Sequence, residues 1–231
     1  MALFDIKGDA RRAFEALKAG GIAIVPNSIG YSILGGSGPA LKRIFDTKQR
    51  GASKRNAMVG NDALHREIHV CSSRGREIVQ AITGDYDLPL GCIAPARMDH
   101  PLLRKLDATS LEASTKDETL VVLLNAGPFH AALTGLSHAE GHPLFGSSAN
   151  VTLSGTKFQV EDIEPPIRAI ADVIVDHGLQ KFHPYAASST LLDVERLEVA
   201  RHGSCFEDIA YILKRHFGVT LPGRPDKKAV T

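Results

Sequence analysis

The sequence predicts an α/β or mixed α+β domain built on one twisted sheet. Three observations carry this. Apolar stretches with helical and with strand periodicity are interspersed along the whole chain. Residues 119–124 (Thr-Leu-Val-Val-Leu-Leu) form a run of β-branched and aliphatic residues of strand length. Neither an internal repeat nor a low-complexity linker divides the 231 residues, a length that supports one core of ordinary size.

In chain order, Ala13, Phe14 and Leu17 give an apolar stripe to a helix over residues 9–19, which Gly20-Gly21 ends. Residues 22–25 read as a buried strand stopped by Pro26, and residues 27–38, rich in Gly and Ser, as a loop. Pro39 suits a first helical turn, and Leu41, Ile44 and Phe45 supply the inner face of the helix that follows, broken at Gly51. Residues 57–59 are a short strand, 74–83 a helix and 90–94 an extended segment. Residues 95–118, with Pro95 and Pro101, receive no element. After the strand at 119–124 come a helix over 128–136, a short strand over 142–145 leading into Gly146-Ser147-Ser148-Ala149-Asn150, and strands over 171–175, 188–194 and 198–201. A last helix covers 208–217, with Ile209, Ile212 and Leu213 inward. Residues 1–220 read as one domain and 221–231 as a flexible tail of Pro, Gly and charges.

Composition narrows the function. Hydrophobic residues make up 43% and charged residues 23%, as in a soluble globular protein, and Lys+Arg 27 against Asp+Glu 26 excludes a general nucleic-acid coat, so any basic surface is local. No apolar run is long enough to cross a bilayer, and residues 1–9 carry acids where a signal peptide would carry cations. Cys71, Cys92 and Cys205 are odd in number and widely spaced, which reads as reduced thiols in a cytoplasmic protein, with neither a disulfide framework nor a metal-ligand pair. His138 and His142 are four apart, but Gly141 and Pro143 keep them off one helix face, so no metal site is expected there. Gly35-Gly36-Ser37-Gly38 lacks the lysine and spacing of a phosphate loop and reads as a turn.

The most informative residues are Lys48-Gln49-Arg50-Gly51-Ala52-Ser53-Lys54 and, about a hundred positions later, Ser148-Ala149-Asn150. Fixed cations in one loop and neutral hydrogen-bonding groups in another suit a polyanionic ligand. Arginine offers a planar fork to phosphate or carboxylate, lysine a point charge, and a Ser/Asn turn offers hydroxyl, amide and backbone groups. The same patterns have simpler uses: a Lys-x-Arg at a helix end complements the dipole, and Ser-Ala-Asn forms a turn.

Six pieces in order make the chain resemble the YrdC-like threonylcarbamoyl-AMP synthase family from about residue 14 to 213. They are Lys48 and Arg50; Ser53-Lys54; Ser148-Ala149-Asn150 followed by Leu153-Ser154-Gly155; the strand end Asp176-His177-Gly178; Ser188-Ser189-Thr190-Leu191-Leu192-Asp193; and Arg201-His202-Gly203. The resemblance implies a twisted, mainly parallel or mixed sheet with helices around a large concave site. It implies an enzyme that condenses L-threonine, bicarbonate and ATP to threonylcarbamoyl-adenylate and pyrophosphate, for N6-modification of adenosine in tRNA. Lys48 and Arg50 would be catalytic. Lys54, Ser148, Asn150, Ser189 and Arg201 would bind the nucleotide, with Mg2+ carried on its phosphates, and residues at the positions of Asn27, Ile29 and Tyr31 would hold the amino acid. Implied partners are tRNA or double-stranded RNA and proteins of the tRNA-modification pathway.

The chain departs from the family where the amino acid binds. The family's Pro-Thr-x-Thr-x-Tyr-Gly-Leu is Pro26-Asn27-Ser28-Ile29-Gly30-Tyr31-Ser32-Ile33 here, with both threonines replaced. One unmade hydrogen bond at that end costs ~1–3 kcal/mol, one to two decades of affinity. Three readings follow: a divergent threonylcarbamoyl-adenylate synthase; a paralogue that activates or transfers another carbamoyl or carboxylate group; or a non-catalytic RNA- or nucleotide-binding protein using a basic face of Arg11, Arg12, Lys42, Arg43, Lys48, Arg50, Lys54 and Arg55.

Overall fold

The Gly- and Ser-rich stretch read as a loop is half of a hairpin. In the computed structural model, which describes residues 3–49, 51 and 55–224, β1 (Ile22–Asn27) turns at Ser28-Ile29 and returns as β2 (Gly30–Gly35). Pro26 does not stop β1. Its neighbour β8 (Val173–Ile174) pairs only as far as Ile24, so the missing N–H has no ladder partner to lose. Gly30 has φ +109, and a Cβ there would lie 2.5 Å from Thr156 Cγ2, so this corner admits only glycine.

The sheet runs β10-β9-β4-β6-β3-β7-β2-β1-β8, with β5 (Thr115–Lys116) beside β6 (Thr119–Leu124). The remaining strands are β3 (Ala57–Val59), β4 (Leu90–Pro95), β7 (Phe145–Ser148), β9 (Leu191–Asp193) and β10 (Glu198–Arg201). The sheet is mixed. Its parallel pairs among the described residues are β1 with β8, β3 with β6 and β4 with β9, and the others are antiparallel, so it leans away from the mainly parallel form.

Strand alternation divides the side chains between two faces. Met58, Cys92, Val122, Phe145 and Leu192 point to one face, beneath α3 (Asp62–Ile68), α4 (Ser73–Gln80) and α8 (Phe206–Phe217). Ile24 and Ile33 continue that face under α2 (Gly38–Thr47) and α7 (Pro165–Ala169). On the other face, α1 (Ile6–Lys18) and α6 (Pro128–Ala139) cover one end only, through Ala10, Phe14, Leu17, Phe129 and Leu133. The rest of that face is concave and holds the site.

Several element boundaries move. α3 was not expected; it is seven residues long and is capped by Asn61, whose side chain accepts from Leu64 N at 2.8 Å. Residues 95–118, given no element, hold a 3-10 turn (Leu103–Lys105), α5 (Ala108–Glu112) and β5. Phe45 is half-buried rather than core. Residues 221–224, assigned to the tail, pack down: Leu221 joins the core and Arg224 meets Glu207 at 2.5 Å. Among the described residues no helix is long and apolar enough to cross a membrane.

Candidate functional site

Side chains two apart on neighbouring strands line a cavity of about 490 Å3 on the concave face: Ser32 and Leu34 of β2, Ala57 and Val59 of β3, Val121 and Leu123 of β6. The register sets them side by side, with Leu34 opposite Gly146, Val59 opposite Leu123, and Gly91 between Leu123 and Leu191. Glycines at 91 and 146 keep the floor low, the usual use of a strand glycine where a ligand comes close. The volume falls in the range of small-molecule sites.

Lys48 and the turn at residues 148–152, far apart in sequence, meet beside this cavity, with Ser148 on its lining and Asn150 off it. Lys48 follows α2 and is 1% exposed. Its ammonium donates to Ser148 O at 2.5 Å and to Asn150 O, and its own carbonyl accepts from Thr152 N at 3.1 Å. Within the turn, Ser148 Oγ donates to Asn150 Oδ1, Asn150 Nδ2 donates to Val151 O at 2.5 Å, and Ala149 N donates to Tyr31 O at 2.8 Å. The expected convergence of Lys48 with Ser148 and Asn150 therefore exists, but in a different form. The lysine was read as a cation facing phosphate. Instead it is buried, outside the cavity lining, and its charge holds two backbone carbonyls that would otherwise repel each other.

Ser189 and Arg201 also come together on the lining. Arg201 Nε donates to Ser189 O at 2.9 Å and Nη2 to Ser189 Oγ at 3.1 Å. The Arg-x-Gly pattern has a physical reason here. A Cβ on Gly203 would lie 2.3 Å from Ser188 O and from Ser189 C and O, so only glycine lets the chain after β10 pack on the segment that carries Ser189.

Of the residues expected at the amino-acid end, Ile29 and Tyr31 line the cavity and Asn27 does not. Asn27 Nδ2 donates to Ser32 Oγ at 2.6 Å, which orients a hydroxyl that does line it. The Tyr31 hydroxyl accepts from His177 N at 3.0 Å and donates to Gly178 O at 2.9 Å, with Asp176 Oδ1 at 3.1 Å; burial, chiefly, pushes its pKa up. Arg50 and Lys54, with Ser53, lie outside the described residues.

Arg55 lines the cavity and was missed as a site residue. Its Nε donates to Thr115 O at 2.8 Å. The only signal was its place directly after Lys54, read as part of a basic surface. Thr156 and Ser188 also line the cavity; Ser188 opens the Ser188–Asp193 piece, where only Ser189 was taken as a site residue, and nothing around Thr156 marks it out. No Asp, Glu, His or Cys is among the described residues lining the cavity.

Glu164 ties down the segment that follows the turn. It accepts from Val151 N at 3.2 Å and from Ser154 Oγ, and it pairs with Lys157 at 3.0 Å. Burial alone would raise its carboxyl. Hydrogen bonds from Ser154, its own backbone, Lys157 and Val151 outweigh that and bring it from 4.5 to about 2. Its folded pKa lies below its unfolded one, so its contribution is complete above about pH 4.5 and fades as pH falls toward 2. Glu164→Gln is therefore expected to lose roughly 1–3 kcal/mol at pH 7, with the gap from wild type closing on acidification through that window. Urea midpoints measured from pH 7 to pH 2.5 check this; a gap independent of pH contradicts it.

A mixed sheet whose concave face is covered by helices at one end only, with polar turns and two arginines on the lining, frames this cavity. The family profile of Sua5, YciO and YrdC, described as "Telomere recombination", matches residues 15–203, and the chain belongs to that family. Among solved structures, it is similar to a hypothetical protein, smu.1377c, from Streptococcus mutans, at 20% identity and TM-score 0.72 over 91% of this chain and 93% of that one. It is similar to P. abyssi Sua5 complexed with L-threonine, at 18% identity and TM-score 0.71 over 92% of this chain and 58% of that one. It is also similar to full-length HypF in a phosphate- and nucleotide-bound form, at 17% identity and TM-score 0.60 over 80% of this chain and 27% of that one. At these identities the likeness is one of fold. No curated protein matches the chain significantly.

Proposed function

We propose that the chain is an ATP-using enzyme that joins a carbamate to AMP, in the manner of a threonylcarbamoyl-AMP synthase. The observation that carries this reading is the meeting at one cavity of the Lys48-locked Ser148–Asn150 turn with Arg55, Ser189 and Arg201. Family membership supports it, as do relatives of the same fold described with L-threonine and with phosphate and nucleotide.

The reaction brings two anions together. An amine and bicarbonate give a carbamate and water. A carbamate oxygen attacks the α-phosphorus, a new O–P bond forms, and the bond to the β-phosphate oxygen breaks, so pyrophosphate leaves with the electron pair. No covalent nucleophile on the protein is required; alignment and charge neutralisation supply the acceleration. Arg55 and Arg201 are the described cations on the lining and would meet phosphate or carbamate oxygens. Arg50 and Lys54 would add charge to the same ligand. Ser148 would offer polar groups from a turn that the Asn150 side chain braces and Lys48 holds in place, which makes Lys48 and Asn150 positioning residues. A Mg2+ would enter on the triphosphate, held by phosphate oxygens and water, since the described lining offers it no carboxylate.

Ile29, Leu34, Val59, Val121, Leu123 and Leu191 make much of the lining apolar. That favours, as a second reading, a paralogue whose amine is less polar than threonine. The RNA-binding reading is weakened by pairing on its expected surface: Arg12 meets Asp9 at 2.8 Å, Lys42 meets Asp46 at 2.6 Å, and Arg11 lies 3.9 Å from Glu15.

Pyrophosphate release with MgATP, bicarbonate and a panel of amino acids is the test. Turnover is expected to require bicarbonate and an amine together. Threonine as best substrate supports the synthase, and a more apolar amine supports the paralogue. Arg55→Ala and Arg201→Ala are each expected to raise the KM for ATP about 10- to 100-fold. No pyrophosphate from any amine, together with RNA binding that weakens in salt, would overturn the proposal.

A further inference from the structure

We propose that His65, His69, Cys71 and Cys92 form a second, buried site for a zinc-class divalent cation, on the sheet face opposite the cavity. The cysteines are unpaired by spacing, and His138 and His142 do not share a helix face. The spacing that matters is His65-x-x-x-His69-x-Cys71, closed by a distant Cys92.

The fold explains how the four meet. His65 lies on α3 and His69 caps it, so a four-residue spacing turns both rings to the same side. The chain then extends, with His69 bridging Ala96, and brings Cys71 back to the rings. Cys92 sits mid-strand on β4, facing the helices. The two Nδ1 atoms are 2.9 Å apart, and Cys92 Sγ is 4.0 Å from the one on His65 and 3.9 Å from the one on His69. Ligand atoms of His65, His69 and Cys71 all fall within 4.8 Å of one another. A tetrahedral ion with M–N near 2.0–2.1 Å and M–S near 2.3 Å sets its ligand atoms about 3.3–3.8 Å apart. The 2.9 Å between the rings lies below that range and the distances to Cys92 lie above it, so closure onto an ion moves the rings apart and draws both sulfurs inward.

The surroundings suit a closed structural centre. All four side chains are buried, Cys92 completely, so protein fills every position and none is left for water or substrate. His69 Nε2 faces Leu120 O at 3.2 Å. That contact places the proton on Nε2 and turns the Nδ1 lone pair inward, the usual outer-shell arrangement of a ligating histidine. Two thiolates cancel the charge of a divalent ion, and two neutral imidazoles complete a site of zero net charge, which a dry interior accepts. On binding, each S–H loses its proton to solvent as the sulfur–metal bond forms, two protons per ion.

Cobalt(II) titration of the full chain, stripped with a chelator and kept under a thiol-free reductant, tests this. One Co2+ per chain is expected, with the visible bands of a tetrahedral ion and a thiolate-to-cobalt charge-transfer band, both erased by Zn2+. A zinc excess of a hundredfold over Kd is expected to raise Tm by roughly 5–10 °C. Cys92→Ser should weaken the charge-transfer band, and the Cys71→Ser, Cys92→Ser double variant should abolish it while leaving any Co2+ bound elsewhere. If those variants fail to fold, the wild-type spectrum and stoichiometry decide alone. A purely octahedral spectrum, or no retained cobalt or zinc in the wild type, overturns the proposal.

Discussion

Lys48→Met is expected to lower stability by roughly 3–5 kcal/mol and to cut pyrophosphate release by a hundredfold or more. Methionine keeps most of the lysine stem, so packing is nearly preserved and the variant isolates the ammonium. That ammonium is buried and donates to two carbonyls, Ser148 O and Asn150 O. Removing it strips a charged donor from the buried Asn150 O and one of two donors from Ser148 O, which keeps Asn150 N at 3.0 Å, and it leaves the space around the ammonium without its charge, which together cost about 3–5 kcal/mol. The same change frees the turn that presents Ser148 and Asn150, and a displacement of an ångström there is enough to cost two decades in rate. Lys48→Arg is not expected to rescue, because a planar fork cannot enter a closed space shaped for a single point charge. The contrast with Arg55→Ala is informative: that residue lies on the cavity, and its loss should act mainly through a raised KM for ATP, with a smaller fall in the urea midpoint than in Lys48→Met. An unchanged midpoint in Lys48→Met would show that the turn holds itself together, and Lys48 would have to be returned to a ligand-facing role.

The sequence made this site half legible, for physical reasons that differ residue by residue. β6 was found because a central strand buried on both faces shows as a continuous run of β-branched and aliphatic residues. β2 was hidden because its Gly30, Ser32 and Gly35 carry the composition of a loop; one of its faces lines a ligand cavity and has no need of large apolar side chains. α3 was hidden because seven residues give too little periodicity, although Asn61 is a recognisable cap. The pairing of Lys48 with Ser148 and Asn150 could be anticipated as proximity but not as burial. A lysine near a helix end looks the same in sequence whether its charge meets water, phosphate or two carbonyls, and only the tertiary packing distinguishes these. Arg55 was read as surface for the same reason. His65, His69, Cys71 and Cys92 are individually ordinary, and they become a cluster only because β4 passes beneath α3.

Gly203→Ala is the other substitution expected to act strongly, by roughly 2–4 kcal/mol with a matching loss of ATP affinity. The cost lies in contact rather than in backbone torsion. The new methyl would sit 2.3 Å from Ser188 O, Ser189 C and Ser189 O, and none of these backbone atoms can move aside as a side chain would. The neighbourhood is also stapled: Gly203 N donates to Thr190 Oγ1 at 3.1 Å, Thr190 Oγ1 to Ser204 O at 2.9 Å, Ser204 N to Ser188 O at 2.7 Å, and Arg224 to Gly203 O at 2.9 Å. Relief of the clash must therefore push the Ser188–Ser189 segment toward the cavity and unseat Arg201, whose guanidinium rests on Ser189. Gly135→Ala is the control. It lies on the exposed side of α6 with nothing within 4 Å of its added methyl, and should stabilise the chain by about 0.5–1 kcal/mol. Urea midpoints for the two variants, with calorimetric titration of ATP, separate the effects. If Gly203→Ala keeps the wild-type midpoint but loses ATP, the segment has yielded into the site without strain; if it loses stability and keeps ATP affinity, Ser189 and Arg201 do not belong to the nucleotide site.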